Sequence, residues 1–80
     1  MKEQAVQTLA NMKAVLEAAG LTVTDIAKTT VFVTNMDDFA AFNEVYAAFM
    51  GEHRPARVCV EVSNIAHGCL LEMDAICFKE

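Results

Sequence analysis

Apolar residues recur at helical spacing in two stretches of this chain and mark strands in three others, in the order α-β-α-β-β. From Lys2 to Ala19 the positions Ala5, Leu9, Met12, Leu16 and Ala19 alternate spacings of four and three, and Val6 and Val15 widen the stripe. That period predicts an amphipathic helix, with Gly20 at the left-handed residue that ends it. Ile26 to Thr34 (IAKTTVFVT) is rich in β-branched residues and reads as a strand. Phe39, Phe42, Tyr46 and Phe49 form the apolar stripe of a second helix, capped by Asn35 or Asp37 and closed by Gly51. Pro55 ends the next loop. Arg57 to Ser63 alternates cleanly, with Val58, Val60 and Val62 facing one way and Arg57, Cys59 and Glu61 the other. After a turn over Asn64 to Gly68, Cys69 to Phe78 forms the last strand.

These elements predict one α+β domain over residues 1–80, with both helices on one face of a mixed sheet. A right-handed crossover through the second helix makes the first two strands parallel. The last two strands are expected to pair as an antiparallel hairpin. The uncovered sheet face would then carry Arg57, Cys59, Glu61, Glu72 and Asp74 among Leu70, Ile76 and Phe78, a mixture suited to a subunit interface that holds a polar site. Composition supports association. The chain has 80 residues, of which 55% are hydrophobic, more apolar surface than one small core hides. A homo-oligomer is expected.

Net charge is −5, and the six basic residues are scattered, which disfavours nucleic acid as a partner. Cys59, Cys69 and Cys77 have no paired spacing and read as free thiols of a reducing compartment. No leader-like or membrane-spanning run is present in the sequence, so a cytoplasmic location is expected.

The stretches AVLEAAGLTVTDIAKTTVFVTNMDDFAAFNEVYAAF, PARVCVEV and LLEMDAICFK resemble the RidA/YjgF family, also labelled L-PSP endoribonucleases. The resemblance implies a chorismate-mutase-like fold, a homotrimer, and a ligand site in each cleft between subunits. It also implies hydrolysis of enamines and imines such as 2-aminoacrylate to 2-oxo acids and ammonia, a role in metabolite damage control that calls for no cofactor. The Arg of the family's P-A-R-x-C pattern falls on Arg57 and its Cys on Cys59. The Glu of the closing strand is Glu72, and the Asn of the second helix is Asn43. Two departures stand out. Ile65-Ala66 replaces the usual Leu-Pro of the last turn, and the family's opening hairpin, with a Tyr and a Ser-Gly-Gln strand end, has no counterpart. By this resemblance the chain matches the C-terminal two-thirds of the family domain and is expected to be truncated at its N terminus.

Each candidate has a structural and a functional reading. Arg57 suits bidentate capture of a 2-imino or 2-oxo carboxylate, or a structural ion pair with Glu61 or Asp74. Glu72 suits a general base that deprotonates water at the imine carbon, or a solvated strand residue. If the hairpin sets Glu61 opposite Glu72, like-charge repulsion raises one of their pKa values. Cys59 reads as pocket lining before nucleophile, and Asn43 as a reach from the helix or an exposed polar residue. His53, His67 and Cys69 lack the paired spacing of a metal site, so no metal is expected. The functional alternatives are a non-catalytic carboxylate-binding regulatory module, an inactive fragment, and a ribonuclease, the last at odds with the acidic charge.

Overall fold

A computed structural model describes residues 1–79. Helix α1 spans Lys2–Ala18, strand β1 Ile26–Val33, helix α2 Phe39–Met50, strand β2 Ala56–Glu61 and strand β3 Leu71–Cys77. The predicted order α-β-α-β-β holds, and short 3₁₀ turns join the elements. Gly20, at φ 74°, closes α1 as its spacing predicts. The Leu21 amide donates to the Leu16 carbonyl at 2.8 Å, which satisfies an orphan acceptor of the last turn. Neither predicted cap sits on α2 itself: Asn35 caps the 3₁₀ turn Met36–Asp38, its side chain accepting from the Asp37 amide at 2.9 Å, and α2 begins after Asp38, which makes no side-chain cap.

One core joins both helices to one face of the sheet. Leu9 and Leu16 of α1 and Phe42, Tyr46 and Met50 of α2 are buried with Val31 and Val33 of β1 and Leu71 of β3. The α1 stripe is narrower than predicted, since Val6 and Val15 are exposed. In β1 the alternation slips at its start: Ile26 and Thr29 are both buried three residues apart. A register shift between Ile26 and Lys28 accounts for it, because one extra residue turns the side chains over.

The strand order is β2-β1-β3. β1 and β2 are parallel, as the crossover predicts. β3 pairs antiparallel with β1, not with β2, so the predicted terminal hairpin does not form. The stretch between Glu61 and Leu71 is too long for a tight hairpin turn and passes the end of β1 instead. The Val62 amide bonds to the Val33 carbonyl, and the Thr34 amide to the Leu70 carbonyl, on either side of that end. β1, the strand with buried Ile26, Thr29, Val31 and Val33, thereby takes the centre.

This order also corrects the predicted open face. Partnered residues of adjacent strands point to the same side. Arg57, Cys59 and Glu61 partner Thr29, Val31 and Val33, whose side chains are buried under the helices. Glu72 and Asp74 partner Phe32 and Thr30 on the opposite face, with Val58 and Val60. The charged residues expected on one face are therefore divided between two. Val58 and Val60 are 42% and 38% exposed, the reverse of an inward apolar row. β2 is an edge strand, where a polar side chain can lean past the helix to solvent, so its inward face tolerates Arg57 and Glu61.

Candidate functional site

Phe39, Asn43 and Tyr46 lie on one side of α2 by their spacing of four and three, and that side meets the edge of β2. Arg57 occupies the contact. Its guanidinium carbon is 4.8 Å from the Tyr46 ring centroid and 5.1 Å from that of Phe39. Its Nη1 donates to Asn43 Oδ1 at 2.6 Å. Stacking on two rings is worth about 0.5–1 kcal/mol for an exposed cation and limits the rotamers of a long side chain. Tyr46 is itself fixed, because its hydroxyl shares a 2.9 Å hydrogen bond with buried Thr29. The chain β1–Tyr46–Arg57–Asn43 thus holds the guanidinium against α2 and engages one of its nitrogens, Nη1.

A cavity of about 470 Å³ opens beside this cluster, lined by Asn43, Tyr46, Met50, His53, Arg54 and Arg57 among others. Its volume falls within the range of about 300–1,000 Å³ of small-molecule pockets. The His53 ring Nε2 donates to the Ile26 carbonyl at 2.7 Å, tying the loop before Pro55 to the irregular start of β1.

Cys59 is half-buried two residues along β2. Burial pushes its thiol above the ordinary value of 9.0, outweighing the opposite pull of Arg57. A protonated thiol fits packing better than nucleophilic attack. Glu61 accepts a 2.7 Å hydrogen bond from the Met36 amide and so fixes the approach to α2.

Glu72 stands elsewhere. It lies on the far edge strand and the opposite sheet face from Arg57, with β1 between. Their backbones are two strand spacings apart, ~10 Å, and further offset by three residues along the strands, since Arg57 partners Thr29 and Glu72 partners Phe32. Glu72 lines a different cavity, of about 340 Å³, with Thr8, Asn11, Met12 and Val15 of α1. One copy of the chain therefore unites Arg57 with Asn43; Cys59 shares their sheet face on β2 but packs against the core and does not line the cavity, and Glu72 stands apart. The predicted opposition of Glu61 and Glu72 is likewise absent, since β2 and β3 are not neighbours. Nor does Arg57 pair with Glu61 or Asp74: among the described residues the one salt bridge is Lys2–Glu44, at 3.2 Å.

Phe39 and Tyr46 are read from sequence as core packing alone, and their second use as a platform for Arg57 goes unforeseen. The signal was Asn43, a polar residue set between two aromatics on one side of a helix. Arg54 and His53 give no sequence signal beyond their nearness to Pro55. Among the described residues no three His, Cys, Asp or Glu side chains converge as a metal site requires, and no helix is long and apolar enough to cross a membrane.

The family profile described as Endoribonuclease L-PSP matches residues 1–79. The chain is 51% identical over 79 residues to 2-iminobutanoate/2-iminopropanoate deaminase of Escherichia coli, covering 95% of this chain and 62% of that protein. It is 51% identical over 80 residues to a RutC family protein of Pyrococcus horikoshii, covering 100% and 64%. The chain thus spans less than two thirds of these relatives' length. Among solved structures, E. coli TdcF with bound serine superposes with a TM-score of 0.93 at 45% identity, covering 99% of this chain and 65% of that one. A putative endoribonuclease of Thermotoga maritima gives 0.96 at 44% identity, covering 99% and 62%. On fold and sequence together, the chain belongs to the endoribonuclease L-PSP family, the RidA/YjgF proteins.

Proposed function

We propose that this chain hydrolyses reactive 2-imino acids, and the enamines that tautomerise to them, to 2-oxo acids and ammonia. The observation that carries this reading is Arg57: a guanidinium stacked on two rings, held by one nitrogen to Asn43, without a carboxylate partner among the described residues, beside a cavity of ligand size. The name of the E. coli relative supports the same chemistry.

In this mechanism the N–H groups of Arg57 not engaged by Asn43 take the substrate carboxylate, and a fixed fork retains most of its bidentate strength. Water adds to the imine carbon while the nitrogen gains a proton. The resulting carbinolamine breaks its C–N bond and leaves a 2-oxo acid and ammonia. Cys59 backs the site from β2 as a protonated thiol and takes no part in the chemistry, and Asn43 sets the orientation of Arg57. Glu72 accepts the proton of the attacking water. Because Glu72 is remote from Arg57 within one copy, it reaches the imine from a second copy, in an oligomer for which a trimer is our choice. Positioning is the main contribution, since a displacement of about 1 Å can cost ~100-fold.

The test generates 2-aminoacrylate with a serine dehydratase and follows pyruvate against the spontaneous rate. Arg57→Ala and Glu72→Ala are each expected at background. Mixing the two variants is expected to restore part of the rate, because a mixed oligomer contains clefts with both wild-type residues. Full activity in Glu72→Ala would remove the general base from the scheme. Wild-type protein at the spontaneous rate, yet binding 2-oxo acids through Arg57, would make the chain a binding module.

A further inference from the structure

We propose that the cavity beside Arg57 selects 2-imino acids bearing a second anionic group, namely short dicarboxylates, and that Arg54 makes the selection. This rests on Arg57 as the anchor of the first carboxylate.

The cavity is electrostatically unlike the rest of the molecule. The chain carries 11 acidic residues against six basic ones, for a net charge of −5. Yet two of those six, Arg54 and Arg57, line one cavity whose wall contains no carboxylate. Neither takes part in a salt bridge among the described residues. The two side chains are held in the same manner. Arg57 is anchored through Nη1 to Asn43 Oδ1. Arg54 is anchored through Nη1 to the carbonyls of Gly51 and His53. A guanidinium has five donors, so each retains most of its N–H groups for a ligand. The loop that carries Arg54 is fixed at both ends, by the His53 ring on the Ile26 carbonyl and by Pro55 before β2. Little side-chain freedom then remains to be lost on binding.

Two uncompensated like charges on one wall repel each other, and a monocarboxylate neutralises only one. A 2-imino dicarboxylate places its first carboxylate on Arg57 and its second on Arg54. The apolar stretch between them, with Tyr46, Ala47, Met50 and Pro55, suits the intervening methylenes.

2-Oxo acids, which have no C–N bond to hydrolyse, serve as probes, with oxaloacetate prepared fresh. Oxaloacetate and 2-oxoglutarate are titrated against 2-oxobutanoate and 2-oxopentanoate by calorimetry or ligand-observed NMR. At low ionic strength the dicarboxylates are expected to bind about fivefold tighter, as a favourable exposed charge pair gives. That ratio should fall towards one in Arg54→Gln, persist in part in Arg54→Lys, and shrink with added salt. Arg54 is exposed, so these variants should retain the fold. Equal binding of the two classes by wild type, or a preference that survives in Arg54→Gln, overturns the proposal. If 2-oxobutanoate binding then still depends on Arg57, the function proposed above stands. If no 2-oxo acid binds, or binding ignores Arg57→Gln, both fall.

Discussion

At the scale of the residue, Arg57 and Cys59 illustrate how one strand edge produces opposite chemistry. Arg57 lies at the rim of the core with its guanidinium over two aromatic rings. Lysine has neither the planar fork nor the stacking surface, so Arg57→Lys should weaken 2-oxobutanoate binding at least tenfold, measured by calorimetry. Cys59 is pushed to a higher pKa by burial. A folded-state pKa above the unfolded value means that folding favours the protonated thiol. Its contribution to stability is complete below the unfolded value and is lost as pH rises through the folded one. The melting temperature should therefore fall on raising the pH above about 9, and Cys59→Ala should reduce that fall. Alkylation by iodoacetamide at neutral pH should be slower at Cys59 in the folded protein than after denaturation.

At the scale of the element, α2 is placed by three polar contacts, and each has a consequence for the site. Glu61 receives the Met36 amide, Asn35 receives that of Asp37, and Tyr46 meets Thr29 within the core. Thr29→Val is nearly isosteric but leaves the Tyr46 hydroxyl without its buried partner. A loss of ~1–3 kcal/mol is expected from urea unfolding. Since Tyr46 is the only tyrosine and the chain has no tryptophan, its near-ultraviolet circular dichroism reports directly on this contact. Thr29→Val should change that signal, while Thr29→Ser, which keeps the hydroxyl, should preserve most of it. The predicted terminal hairpin fails at this scale too. Alternation shows that β2 and β3 are strands, but their pairing depends on which strand has the most surface to bury, and that is β1.

At the scale of the whole molecule, the sheet has one covered and one open face. On the open side Val58 and Val60 stand beside Thr30 and Phe32, and Ile76, 61% exposed, lies at one end beside Lys28. Phe78, just beyond β3, is 69% exposed. Exposed apolar side chains set among Lys28, Glu72 and Asp74 on one sheet face favour association. Light scattering coupled to size exclusion at micromolar concentration should give a mass that is a multiple of 8.7 kDa. Val60→Asp should shift it towards the monomer, because a charge at the centre of an apolar interface is left without water or partner. If the clefts between copies hold the reactive site, the same substitution should also remove the proposed deaminase activity while leaving the far-ultraviolet spectrum unchanged.

The sequence by itself determined the elements, their order, the parallel pairing of β1 and β2, and the residues that merit attention. Helical spacing, alternation and the turn residues Gly20 and Gly51 are local signals, and local physics reads them directly. Arg57, Asn43, Cys59 and Glu72 were legible because the stretches around them resemble a family. Only the tertiary structure decided which residues meet. Alternation in β2 separates Arg57 from Val58 but does not say which of the two rows faces the helices, because an edge strand can turn either inward. Strand order is equally a global property, set by the competition for the central place. That competition put Glu72 across the sheet from Arg57, and it also joined Arg57 to Asn43, Tyr46 and Arg54 around one cavity.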